Sequence, residues 1–274
     1  DCTAEAPRLT ISVARLEQLS PALLELGCPA RVYIPLEEVS RLESLPGEGP
    51  EWCAVLPRVW RDRDEPALRT LLERARALGF TGVLIGNLGH LPLVRGLNFH
   101  LYGDYGLNVF NSRSLAYLKD KELESACVSF ELRFAQIRDL KKVLRAEAIV
   151  YGRLPLMITE NCLVQNETGC RLDRQGPCVP EDGPCRCGQP NVLVDRTGAA
   201  FPLLPAYGHR TEIQNSKPLY LADRPEHRRL GLAYARLRFT TETAEECVSV
   251  VQNYLDAAPA AGDFTRGLYE RGVE

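Results

Sequence analysis

The sequence contains no run of eighteen apolar residues, so it offers no candidate for a membrane-spanning helix. It is short of net charge: 33 basic against 36 acidic side chains leave −3. That removes any global nucleic-acid signature and leaves only local basic patches to consider. Its first residues, Asp1-Cys2-Thr3-Ala4-Glu5, have neither an initiating Met nor a signal-peptide pattern, and we expect them to continue from flanking domains of a longer polypeptide. Ten cysteines in 274 residues are too few for a disulfide scaffold. A reducing, cytoplasmic setting fits that usage, and a secreted protein with local disulfides is the alternative. Also missing are a glycine-rich dinucleotide fingerprint, a paired CxxC zinc ribbon, a Ser-His-Asp set, an HExxH helix, a phosphate loop, a long-period repeat and a low-complexity tract.

What is present is ordinary globular composition, 45% hydrophobic and 25% charged, on a chain long enough to bury a core. Short runs rich in Val, Ile, Leu, Tyr and Phe predict strands at Leu9–Arg15, Arg31–Leu36, Cys53–Val59, Gly82–Gly86, Asn98–Tyr102, Ala126–Phe130, Ala148–Tyr151 and Leu232–Phe239. Amphipathic helices lie between them. The clearest begins near Asp64 with Pro66 in its first turn, repeats Leu68, Leu71, Leu72, Ala75 and Leu78, and stops at Gly79. A second, from about 241 to 255, has a capping box of Thr243 and Glu246 and an apolar stripe of Ala244, Cys247, Val248, Val251 and Leu255. Eight strand–helix units predict an α/β fold, a (β/α)8 TIM-like barrel with a Cys-rich insertion between the seventh and eighth strands. Residues 1–152 supply seven units, 153–230 the insertion, and 231–274 the eighth strand, closing helix and tail. An open doubly wound sheet is the competing topology. Within the insertion, Asn191–Arg196 and Ala199–Leu203 flank Thr197-Gly198 as a small hairpin.

Half of the cysteines fall in that insertion: Cys162, Cys170, Cys178, Cys185 and Cys187, spaced x7, x7, x6 and x. Thiolates suit zinc and iron–sulfur clusters alike, and this spacing does not choose between them. His209 adds a sixth donor. Loop cysteines holding no metal are the alternative. Cys53, Cys127 and Cys247 read as small buried hydrophobes, and so does Cys28; Cys2 is uninformative.

A barrel of this kind works at the carboxyl ends of its strands. Those ends carry Arg58, Asn87, Asp104, Asn108, Asn111, Glu131, Arg153 and Arg238. The arginines have the planar fork that clamps carboxylate or phosphate, or else they are solvated. Asp104 and Glu131 are candidates to move protons, and Glu131 equally reads as a first-turn glutamate on a helix dipole. The asparagines either hold substrate or build turns. His100 reads as a satisfied core histidine. Two basic stretches, Arg133-Arg138-Lys141-Lys142-Arg145 and Arg224-His227-Arg228-Arg229-Arg236-Arg238, are solvated faces or contacts to RNA phosphate.

Several ordered motifs resemble peptidase family U32, the collagenase-like proteases. They are Phe99-His100-Leu101-Tyr102-Gly103-Asp104-Tyr105-Gly106-Leu107-Asn108-Val109-Phe110-Asn111-Ser112, Ser129-Phe130-Glu131-Leu132, Tyr151-Gly152-Arg153-Leu154-Pro155-Leu156-Met157, Asn215-Ser216-Lys217-Pro218-Leu219, Arg238-Phe239-Thr240 and Phe264-Thr265-Arg266-Gly267. The resemblance implies a barrel. Its historic label is peptidase, and some of its members carry a [4Fe–4S] cluster on four cysteines. Those members take part in hydroxylating RNA bases or a quinone precursor, with prephenate as oxygen source. Carried onto this chain, the resemblance makes Cys162 and Cys170 the first two ligands and Cys187 the third. The fourth position departs from the family pattern and falls to His209, or to Cys178 or Cys185, with zinc as the alternative metal. Three functions follow as expectations. The first is an iron–sulfur-dependent oxygen-transfer enzyme of RNA modification, holding a small anionic co-substrate by Arg58 and Arg153. The second is a peptidase, and the third a non-catalytic, metal-stapled barrel in a larger protein.

Overall fold

The computed structural model describes residues 6–26, 29–168 and 189–272. Seven parallel strands alternate with helices in the first part of the chain. They are β1 (Arg8–Ser12), β2 (Arg31–Pro35), β3 (Glu51–Val55), β4 (Gly82–Ile85), β5 (His100–Gly103), β6 (Ser125–Cys127) and β7 (Arg145–Gly152). The helices are α1 (Pro21–Glu25), α2 (Leu36–Val39), α3 (Glu65–Leu78), α4 (His90–Val94), α5 (Ser112–Asp120) and α6 (Phe134–Asp139). An excursion follows, with β8 (Pro155–Thr159), α7 (Leu163–Thr168), β9 (Asn191–Val194), β10 (Ala200–Ala206) and β11 (Arg210–Gln214). The chain then adds β12 (Leu219–Tyr220), β13 (Tyr234–Arg238) and α8 (Ala244–Leu255).

Each of β1 to β6 pairs in parallel with the next, β6 pairs with β7, β7 with β13, and β13 with β1. The eight strands therefore close into a (β/α)8 barrel, and every predicted barrel strand is present within a few residues of its expected bounds. Short β12 lies antiparallel on the end of β7. The chain divides into two compact units, the barrel with residues 1–152 and 219–274, and the excursion from Arg153 to Pro218. Residues 219–230, grouped with the insertion on sequence, thus lie with the barrel.

The two clearest helices form as their sequences require. In α3, Leu68, Leu72 and Ala75 are buried, and Gly79 ends the helix at φ 100°, a conformation that glycine adopts without strain. In α8, Thr243 Oγ1 accepts the Glu246 N–H at 3.2 Å, and Glu246 accepts the Thr243 N–H at 2.8 Å. Its buried stripe is Cys247, Val251 and Tyr254; Leu255, expected inside, is 44% exposed. The stripe turns toward Tyr254 because that phenol fills a polar slot, taking the Leu221 N–H and donating to the Val150 carbonyl.

Within the excursion, β8, β11, β10 and β9 form an antiparallel sheet in that order. The predicted hairpin is there: β9 pairs with β10, and Asp195 caps the turn by accepting the Thr197 and Ala199 N–H groups.

The barrel interior carries buried charge beside the apolar cluster of Tyr33, Cys53, Leu84 and Tyr102. On β13, Tyr234, Arg236 and Arg238 alternate with the fully buried Ala235 and Leu237. Arg236 meets Glu147 of β7, while Thr10 and Tyr33 of β1 and β2 also reach Glu147. Toward the amino ends of the strands, Arg31 pairs with Glu51 at 2.9 Å and lies 3.4 Å from the Tyr102 ring centre. Gly82 makes room for this layer, since a Cβ there would stand 2.4 Å from Cys53 Sγ and 2.7 Å from the Tyr102 ring.

Candidate functional site

Asp104 follows the last residue of β5, and its backbone N–H bonds the Ile85 carbonyl at 2.7 Å, so it continues the strand register into the barrel mouth. Its carboxylate is 5% exposed and takes Arg236 Nη1 on Oδ1 at 2.5 Å. The same guanidinium donates Nε and Nη2 to Glu147 and lies with Cζ 4.4 Å from the Tyr33 ring centre. Glu147 is saturated, accepting also from Thr10 Oγ1 at 2.6 Å and the Tyr33 hydroxyl at 3.1 Å. Burial pushes the Glu147 carboxyl up, but the charge and hydrogen bonds of Arg236, with help from Thr10 and Arg31, outweigh it and hold Glu147 below the usual carboxylate range. Burial opposes the Arg236 charge as well; Glu147 and Asp104 overcome it and hold the guanidinium protonated.

Above this pair, Tyr105 stands among residues from three other strand ends. Its ring centre is 5.2 Å from Arg58 Cζ, 5.8 Å from Arg238 Cζ and 5.8 Å from the Phe130 ring centre. Gly106 permits this placement, because its backbone packs on Gly86 and an added Cβ would stand 2.6 Å from the Gly86 carbonyl oxygen. The structure therefore brings Arg58, Asp104 and Arg238 to one mouth.

The other expected mouth residues have local duties. Asn111 caps α5 by accepting the Arg113 and Ser114 N–H groups, each at 3.0 Å. Asn87 accepts the Gly89 N–H at 2.8 Å in a turn. Asn108 is exposed in a left-handed conformation, φ 49°. Glu131 lies in a turn, with its own N–H on Ser129 Oγ, three residues before α6 begins; it is not a first-turn glutamate of that helix. Arg153 belongs to the excursion, where its guanidinium donates to the Asn215 and Ser216 carbonyls and ties the two ends of that unit together.

His100 corrects an expectation. It is exposed at the amino end of β5 and pairs with Glu124, because the strand starts at His100 and leaves that ring outside the core. The second basic stretch is corrected too, since Arg236 and Arg238 are 1% and 9% exposed and line the barrel. Arg138 of the first stretch is solvated and paired with Asp139. Cys53, Cys127 and Cys247 are buried as expected, and burial pushes all three thiols up, so they stay protonated.

In the excursion, Cys162 is 7% exposed and its sulfur accepts the Gln165 N–H at 3.4 Å. Thr159 of β8 stands opposite Thr211 of β11, and the Leu163 N–H returns to Thr211 Oγ1 at 3.0 Å. His209 precedes Thr211 by two residues and is half-buried at φ 58°. Two residues of chain reach at most about 7 Å. Cys162 and His209 thus occupy the same end of the β8–β11 pair. A buried sulfur accepting a backbone N–H suits a thiolate ligand, since such bonds stabilise the charge on sulfur. Cys170, Cys178, Cys185 and Cys187, like Cys2 and Cys28, lie outside the described residues. No group of three or more metal-binding side chains occurs among the described residues.

Sequence reading missed Glu147, Tyr33, Tyr105 and the role of Arg236. The available signal was charge at alternate positions of strands that otherwise read as buried: Arg31, Glu51, Glu147, Arg236 and Arg238.

A model of peptidase family U32 matches residues 45–191. None of the curated proteins matches the chain. Among solved structures, the U32 peptidase Mk0906 is similar at 9% identity and a TM-score of 0.46, over 87% of this chain and 95% of that one. A thiamine phosphate pyrophosphorylase from Pyrococcus furiosus is similar at 8% identity and 0.39, over 91% and 96%. The Bacillus cereus spore cortex-lytic enzyme SleL gives 7% identity and 0.40, over 91% and 75%. No helix among the described residues is long and apolar enough to cross a membrane.

Proposed function

The chain belongs to peptidase family U32, and from that premise we propose that it is an iron–sulfur-dependent enzyme of RNA modification, transferring oxygen to a base. The observation that carries this reading is the shared position of Cys162 and His209 at one end of the β8–β11 pair, on a unit whose remaining cysteines follow within 25 residues of Cys162. Cys162, Cys170 and Cys187, with His209 or else Cys178 or Cys185, would hold a [4Fe–4S] cluster. Bound there, the cluster would supply one-electron chemistry. At the barrel mouth, Arg58 and Arg238 supply positive charge for a small anionic co-substrate, and Asp104 supplies an acceptor for a proton. Zinc on the same donors would instead make the metal a staple of the excursion.

The test is anoxic incubation of the purified protein with unmodified RNA and prephenate, followed by nucleoside mass spectrometry. We expect one nucleoside to gain one oxygen atom, and Cys162→Ala to abolish the gain. Absence of the product with iron-loaded protein, together with peptide cleavage that survives Cys162→Ala, would overturn the reading in favour of a peptidase.

A further inference from the structure

Among the described residues, Asp104 is a mouth carboxylate whose side chain is anchored to a buried cation, Arg236, and that cation is held in turn by residues of β2 and β7. Arg236 has no freedom to choose its direction. Its Nε and Nη2 are fixed on Glu147, its plane lies against Tyr33, and Glu147 is itself held by Thr10 and Tyr33. One guanidinium nitrogen, Nη1, is left to point up the barrel, and it meets Asp104 Oδ1. Among the described residues, Arg236 is the side-chain donor to Asp104, so Oδ2 remains as the acceptor available to a ligand.

We infer that Arg236 is a positioning residue for Asp104: it locks Oδ1 so that Oδ2 alone faces the reacting group. The inference rests on the proposed use of Asp104 at the mouth. The fork matters more than the charge. A lysine in its place offers a point charge on a flexible stem and cannot span Glu147 and Asp104 in one fixed plane. A group held through such a second layer acts from a fixed geometry, and displacements of about 1 Å cost about a hundredfold in rate.

The contact is tested without turnover by side-chain 1H–15N NMR of the arginine-labelled full chain. Arg236→Met assigns the Arg236 signals. In Asp104→Asn we expect the Arg236 Nη1 signal to move and to exchange faster with solvent while its Nε signal, on Glu147, stays. A spectrum in which no arginine signal responds to Asp104→Asn, with the circular dichroism unchanged, would overturn the inference. Should Arg236→Met fail to fold, Arg236→Lys gives the same assignment. The consequence is tested by a double-mutant cycle in the RNA assay. Asp104→Asn should lower kcat about a hundredfold, Arg236→Lys about tenfold, and the double variant no further than Asp104→Asn alone. Losses that multiply would mean that Arg236 acts other than through Asp104. A wild type with no turnover on RNA would defeat the functional reading, and the NMR result would still decide the inference.

Discussion

Glu147 and Arg236 form an ion pair inside the barrel in which each side chain is 1% exposed. Two charges taken out of water are stable there only because the remaining lone pairs and N–H groups are bonded, by Thr10 and Tyr33 on one side and Asp104 on the other. Removing one member strands the other.

Glu147→Ala should therefore destabilise the barrel by about 3–5 kcal/mol. Urea unfolding followed by circular dichroism measures it. A change under about 1 kcal/mol would mean that water reaches Arg236 and the interior is wet.

Acid should weaken the fold in two stages. His90 is fully buried, with Nε2 on the Pro57 carbonyl and no partner for Nδ1 among the described residues. Burial pushes its pKa down to about 4, the Pro57 contact opposing only in part. The unfolded chain takes up that proton below about pH 6.5 and the folded one does not, so His90 removes up to about 3 kcal/mol of stability between about pH 6.5 and 4. His227, also held below its ordinary value by burial, adds to the loss, and Glu37, pushed up to about 7 by burial, opposes it. Glu147, also held below its ordinary value near 4.5, adds a second loss below that pH, when the unfolded chain binds the proton first. Urea midpoints across pH 3–8 should show both stages, and His90→Phe should shrink the upper one while leaving the lower unchanged. An unchanged upper stage in that variant would assign it elsewhere.

Gly152 and Gly198 both have positive φ, 117° and 86°, but a Cβ at Gly152 would stand 2.0 Å from the Arg238 carbonyl oxygen, whereas one at Gly198 meets nothing within 4 Å. Gly198→Ala should cost only backbone strain, about 1–2 kcal/mol. Gly152→Ala should cost that plus about 1–3 kcal/mol of overpacking, and should shift Arg238 at the mouth. Equal thermal midpoints for the two variants would show that β7 yields at this point.

The barrel was readable in the sequence because its strands are short apolar runs separated by amphipathic helices, and that pattern has few packings. The position of Asp104 was readable because a strand exit defines it. The arginine beneath it was not. In the run Tyr234-Ala235-Arg236-Leu237-Arg238, alternation of polar and apolar residues ordinarily means one wet face, and here both faces are buried, with Arg236 against Glu147 and Asp104 in a closed interior. Such a run is recognised only when opposite charges appear in neighbouring strands, as Glu147 does in β7. Asn87 and Asn111 illustrate the reverse: polar residues at strand exits that spend their side chains on a turn and a cap. His100 was misread because one residue of strand boundary decides whether that ring is in the core or at its edge.

Iron and acid-labile sulfide per chain, measured on strictly anoxic wild-type protein beside Cys162→Ala and His209→Ala, test the central claim most directly. The account predicts four of each per wild-type chain, by the stoichiometry of one [4Fe–4S] cluster, with marked loss in Cys162→Ala. Colourless wild-type protein without iron or sulfide, unchanged by either substitution, would contradict it.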